Sequence, residues 1–136
     1  MRGTGLRLAA AVIAGMLGTV MAGTGSAEAH HSAALFYDMK NRISITGQVI
    51  RFNFRNPHAI VELAVVGKDG VEQRWTAETS APSALRRRGW SQDSLMPGET
   101  VTLNGVQAND GSLFMRIISA TRADGTDIGL PRGTDN

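Results

Sequence analysis

The chain has 136 residues, 42% of them hydrophobic and 19% charged, with 14 Lys and Arg against 12 Asp and Glu and no cysteine. A cysteine-free sequence excludes disulfides, thiolate metal sites and a cysteine nucleophile, and leaves stability to the core alone. A formal net charge of only +2 gives no electrostatic case for nucleic acid or an anionic membrane as partner.

Residues 1–29 read as a secretory signal peptide. Arg2 and Arg7 supply the basic start, and Leu8 to Ala22 supply an apolar stretch of 15 residues interrupted by Gly15, Gly18 and Thr19. That stretch is short of the roughly 20 residues a bilayer span requires. Cleavage after Ala27-Glu28-Ala29 frees His30, and the alternative after Gly25-Ser26-Ala27 frees Glu28; the first is preferred. The mature chain is then 136 − 29 = 107 residues, enough for one core, with 12 basic and 11 acidic residues. The expected location is periplasmic or secreted, with no stable membrane anchor once the signal is removed.

Residues 30–41 carry few regular signals and read as an N-terminal arm ahead of a domain spanning 42–130. Arg42 to Phe54 alternates, with Ile43, Ile45, Gly47 and Val49 on one face and the phase then shifting to Ile50, Phe52 and Phe54. A phase shift beside a glycine predicts a strand that bends or bulges midway. Asn56-Pro57-His58 breaks the pattern, and a second strand follows from Ala59 to Val66. Lys68-Asp69-Gly70 makes a hairpin turn into a third strand, Val71 to about Glu78, with Trp75 inward. Ser80 is the expected N-cap of a short helix, Pro82 lies in its first turn and Gly89 stops it. After Met96-Pro97-Gly98-Glu99, Thr100 to Ala108 forms strand four. Asn109-Asp110-Gly111 turns into strand five, Leu113 to Arg122, and residues 131–136 are a polar tail expected to fray.

Three strands, a helix and two strands, with a long bent first strand, suit a mainly β, five-stranded OB-like barrel whose short helix lies between strands three and four. A five-stranded open sheet with a helix across one face is the rival. The alternation predicts a core containing Ile43, Ile45, Val61, Leu63, Trp75, Leu85, Val101, Leu103 and Ile117.

His30-His31-Ser32 with Phe36-Tyr37-Asp38, then Phe54-Arg55-Asn56-Pro57-His58, then Pro82-Ser83-Ala84-Leu85 with Arg87-Arg88-Gly89-Trp90, resemble a family of small exported bacterial proteins known as domain of unknown function 6152. The resemblance covers nearly all of the mature chain. It implies compartment and general shape, and no activity or site.

The histidines carry the one sharp chemical reading. An N-terminal His30 offers a metal its ring and its α-amine, and a second imidazole, from His31 or His58, completes a planar nitrogen set that suits copper(II) better than zinc. The alternative cut places His30 third, where the amine, two backbone amides and the ring can wrap the same ion. The plainer reading is that His30 and His31 are a solvated start and that His58 merely begins a strand behind Asn56 and Pro57. Arg86 and Arg87, with Arg88, could grip an anionic ligand, though arginines in a last helical turn more often complement the helix dipole. Trp90 reads as a core plug beneath the helix or, if exposed, a stacking platform. Asn56 sits in the loop where OB-type barrels commonly hold ligands.

Catalytic signals are thin. Ser32 beside His31 lacks an orienting third group, and Glu62 and Glu78 fall on polar strand positions where carboxylates ordinarily face water. Two functions from different classes remain: an exported protein that holds copper(II) through His30, His31 and His58, and a metal-free module that binds a small ligand or a periplasmic partner. A copper-dependent oxidase would further need an open coordination position and a substrate groove.

Overall fold

The computed structural model describes residues 34–130. The signal segment, His30, His31 and the 131–136 tail lie outside the described residues. Strand β1 runs Tyr37–Asn53, β2 Ile60–Val66, β3 Glu72–Glu78, β4 Thr100–Ala108 and β5 Phe114–Arg122, with a short helix, α1, at Pro82–Arg87 between β3 and β4 and residues 34–36 in a helical turn ahead of β1. Among the described residues no helix is long and apolar enough to cross a membrane.

The strands pair in the order β1-β2-β3-β5-β4 and close on themselves into a barrel. Closure depends on β1 serving two neighbours. Its first part pairs with β4 from Tyr37 to Gln48, and its second part pairs with β2 from Gln48 to Asn53. The expected bend is present: the β1–β2 register shifts between Val49 and Arg51. Gly47 stands next to it because a Cβ there would lie 2.4 Å from the Ala64 carbonyl oxygen. Gly105 does the same for β4, at a register shift where a Cβ would lie 2.0 Å from the Arg116 carbonyl oxygen. Both glycines let one strand coil tightly against another. A short parallel pairing, Thr76 to Glu78 of β3 with Phe114 to Arg116 of β5, completes the ring.

Alternation fills the interior. Val61, Leu63, Trp75, Leu85, Val101, Leu103 and Ile117 are buried as expected, joined by Val49, Leu95, Met115 and Trp90. Ile43 and Ile45 are not; they are only partly buried against the core. They precede Gln48, where β2 first joins β1, so one flank of β1 has no neighbouring strand at their level. The arm boundary also moves, because β1 begins at Tyr37 rather than near Arg42. Between Tyr37 and Arg42 the strand advances five residues while β4 advances two, from Ala108 to Val106, so Asp38 to Asn41 bulge outward and are exposed. That bulge hides the strand from any reading of periodicity.

Ala81 is the N-cap of the helix, and no side chain caps it. Ser80, the expected cap, instead accepts a 2.9 Å hydrogen bond from Nη2 of the buried Arg88. The last described residues strap across this region. Ile128 N–H donates to Ala120 and Leu130 N–H to Arg88, both at 2.8 Å, and Gly129 lies against the Trp90 indole.

Candidate functional site

The residues with capacity for chemistry converge on Glu78, the last residue of β3. Ala77 and Trp75 point into the core, so Glu78 takes the opposite face, between its register partners Ile60 on β2 and Arg116 on β5. The β2–β3 ladder continues one step past the strand limits, with Thr79 N–H donating to Ala59 and Ala59 N–H donating to Ser80. That extension brings His58 beside Glu78, and His58 Nδ1 pairs with Glu78 Oε1. The other oxygen, Oε2, accepts a 2.5 Å hydrogen bond from the Tyr37 hydroxyl. One carboxylate therefore joins the start of β1, the β1–β2 loop and the end of β3.

Tyr37 is held firmly for this contact. It is buried, its ring stacks on Phe114 at 6.1 Å, and the Arg116 guanidinium carbon lies 5.8 Å from the ring centroid. Cation and quadrupole attract in that arrangement. The Glu78 side chain is 17% exposed, whereas that of His58 is 47% exposed. Nδ1 of His58 faces the carboxylate, and its Nε2 has no partner among the described residues. This is the second-shell pattern common to metal-bound histidines, in which the non-coordinating ring N–H is given to a carboxylate. Among the described residues alone, no group of three or more His, Asp and Glu gathers to hold an ion.

The other expected site residues separate. Asn56 is exposed in the β1–β2 loop, where the Asn56–Pro57 peptide is cis. Arg86 and Arg87 are exposed at the end of α1, and Arg86 lies over the Phe54 ring at 5.1 Å. Trp90 is 4% exposed and tilted against Phe52, which makes it the core plug and removes the stacking platform. Glu62 pairs with Arg51 and Arg74 across neighbouring strands. Glu78, expected in water, is the residue the sequence reading missed, together with Tyr37 and Arg116. Tyr37 and Glu78 are 41 residues apart, so no local pattern joins them.

The profile of a family of unknown function, DUF6152, matches residues 18–115. The chain belongs to that family. No curated protein matches it. Among solved structures, the ZRD-deleted mutant of TiaS in complex with agmatine is similar over 73% of this chain and 24% of that one, at 13% identity and a TM-score of 0.44.

Proposed function

We propose that this protein is an exported binding protein with an OB-type barrel that holds one copper(II) through His30 at its mature amino terminus, with His31 and His58 as further nitrogen donors. The OB-type assignment is supported by the β-β-β-α-β-β element order and by the parallel β3–β5 contact that closes the ring. Export to the periplasm or beyond is supported by the three-part pattern of residues 1–29.

The observation that carries the copper reading is the Glu78 junction. His58 and Tyr37 meet on one carboxylate, so the Tyr37 hydroxyl lies beside the half-exposed imidazole. Asn109 holds the Ala34 and Leu35 carbonyls, so His31 lies three residues and His30 four residues ahead of Ala34, an extended reach of about 10–14 Å at roughly 3.3–3.6 Å per residue. The copper reading requires that this reach span the distance to His58 Nε2. The donor set would be imidazole and amine nitrogens without thiolate, which favours copper(II) in a square-planar arrangement.

The test is copper(II) and zinc(II) titration of exported protein whose amino terminus has been sequenced. One copper(II) per chain, bound more tightly than zinc(II), is expected. His58→Ala should weaken binding, and His30→Ala should remove most of it. A residue added ahead of His30 should be nearly as damaging if the terminal amine is a ligand. No copper uptake by chains that begin at His30 would overturn the reading and leave a metal-free binding module.

A further inference from the structure

Arginines on the barrel wall are given carboxylates: Arg51 and Arg74 share Glu62, and Arg122 pairs with Glu99. Where the β1–β2 loop meets the end of α1 the pattern reverses. Arg55, Arg86 and Arg87 are exposed, and their side chains make no ion pair and no hydrogen bond among the described residues. No Asp or Glu occurs from Phe52 to Val61 or from Thr79 to Gln92. Of the acidic residues just outside these segments, Glu62 is held by Arg51 and Arg74, Glu78 is taken by His58 and Tyr37, and Asp93 pairs with none of the three arginines.

One contact ties the two segments together. The Arg86 guanidinium carbon lies 5.1 Å from the Phe54 ring centroid, and Phe54 is braced edge-on by Phe52, which leans on the buried Trp90. A guanidinium drawn to a ring by its charge still has N–H donors to offer in its own plane. Arg55 follows Phe54 and Arg87 follows Arg86, each one Cα step of about 3.8 Å from that contact. The helix dipole accounts for basic residues in the last turn of α1, but Arg55 comes from a loop and owes nothing to it.

We infer that Arg55, Arg86 and Arg87 form a binding site for a phosphate monoester. Three cations gathered without a counterion repel one another, and an anion among them removes that cost. A phosphate monoester carries a charge of about −1.5 to −2 at neutral pH on three acceptor oxygens. A carboxylate carries a single charge on two oxygens, so the phosphate is the better match to three guanidinium forks. Arg88 takes no part, because it is buried and bonded to Ser80. The site is independent of the copper reading, since none of its residues is a proposed metal donor.

The soluble probe is glycerol 3-phosphate, titrated into metal-free mature protein and followed by NMR of the backbone and arginine Nε–H signals. Shifts should centre on Arg55, Arg86 and Arg87, and affinity should fall as salt is added. Arg55→Gln, Arg86→Gln and Arg87→Gln should each weaken binding about 2–5-fold, as expected for exposed charges, and the triple variant should abolish it. Arg86→Lys, which keeps the charge and loses the fork, should fall between wild type and Arg86→Gln. Arg74→Gln removes an equal charge from the barrel wall and should leave binding unchanged. All these side chains are exposed, so the variants should melt close to wild type.

Phosphatidylcholine vesicles with and without phosphatidic acid offer the same phosphate on a lipid surface. Cosedimentation with the phosphatidic acid vesicles, without a response to the soluble ester, would support the site and make its ligand a lipid headgroup. A response to the soluble ester alone would make the ligand a soluble phosphate ester. No response to either probe would overturn the inference. It would also fall if acetate bound as tightly as glycerol 3-phosphate, if the triple variant bound like wild type, or if Arg74→Gln lost as much affinity as Arg86→Gln.

Discussion

Around Trp90 the polar groups serve the fold, whereas around Glu78 they are left able to serve something else. Arg88 is 5% exposed, bonds to Ser80 only eight residues away, and offers its carbonyl to Leu130. The Trp90 indole nitrogen has no partner, but Gly129 lies directly on it and no ligand can reach it. At Glu78 the two partners come from two segments distant from it in the chain, and His58 remains half exposed with Nε2 unpartnered among the described residues. Enclosed polar contacts within one short stretch steady a small disulfide-free domain. A convergence of distant segments at the surface, with one valence open, is what makes a candidate site.

The strongest way to break this contrast is to compare a core variant with a junction variant. Leu63 is fully buried and faces Trp75 across the β2–β3 pairing. Leu63→Ala should cost about 2–5 kcal/mol in urea unfolding, a large share of the stability of one small domain. His58→Ala removes a half-exposed pair and should cost no more than about 1 kcal/mol. If His58→Ala proved as damaging as Leu63→Ala, the junction would be part of the fold's foundation and the division between the two regions would fail.

Gly129→Ala tests the Trp90 side directly. Its φ is +65°, a left-handed conformation, and an added Cβ would lie 2.3 Å from the indole ring. Backbone strain and displacement of Trp90 together should cost about 1–3 kcal/mol, seen as a lower melting temperature and a shifted tryptophan emission. A variant that keeps wild-type stability and emission would show that the strap does not clamp Trp90.

The two regions were unequally legible in the sequence. The strand order, the helix between β3 and β4, the bulge near Gly47 and the buried faces of β2, β3 and β4 follow from local alternation and turn residues, which are short-range signals. Trp90 as core plug follows from its place beside a helix stop. The Ile43 and Ile45 face was misread because burial there depends on where β2 joins β1, a tertiary fact. The start of β1 was missed because Asp38 to Asn41 bulge outward and erase the period. Glu78 was assigned to solvent because its alternation does place it on the outer face. Only the crossing of the arm, with Tyr37 stacked on Phe114, covers that face locally. His58 was named from its loop, but its partner could not be, since pairing with Glu78 requires the β2–β3 register to be known first.

The smallest effect concerns side chains that are local like those of the Trp90 region but open to water like His58. Asp110 and Asp124 sit in turns and are held below the ordinary carboxylate value of 3.8. For Asp110 the chief cause is hydrogen bonding to the Ser112 side chain, then to its backbone N–H. For Asp124 the chief cause is the Thr126 backbone N–H, then its side chain. A carboxylate whose pKa is lowered on folding binds its proton more readily in the unfolded chain. Its stabilisation is therefore complete above 3.8 and is lost as pH falls through the folded value. Asp110→Ala and Asp124→Ala should each be slightly less stable than wild type at neutral pH, and the gap should narrow as the pH is taken below 3.8. Melting temperatures measured from neutral pH down into the acid range check this, and a gap that stays constant would assign the effect to turn geometry rather than to charge. Both groups are fully exposed, so water screens what they gain. That places them below both regions: a local polar contact stabilises this fold appreciably only where the solvent is kept out.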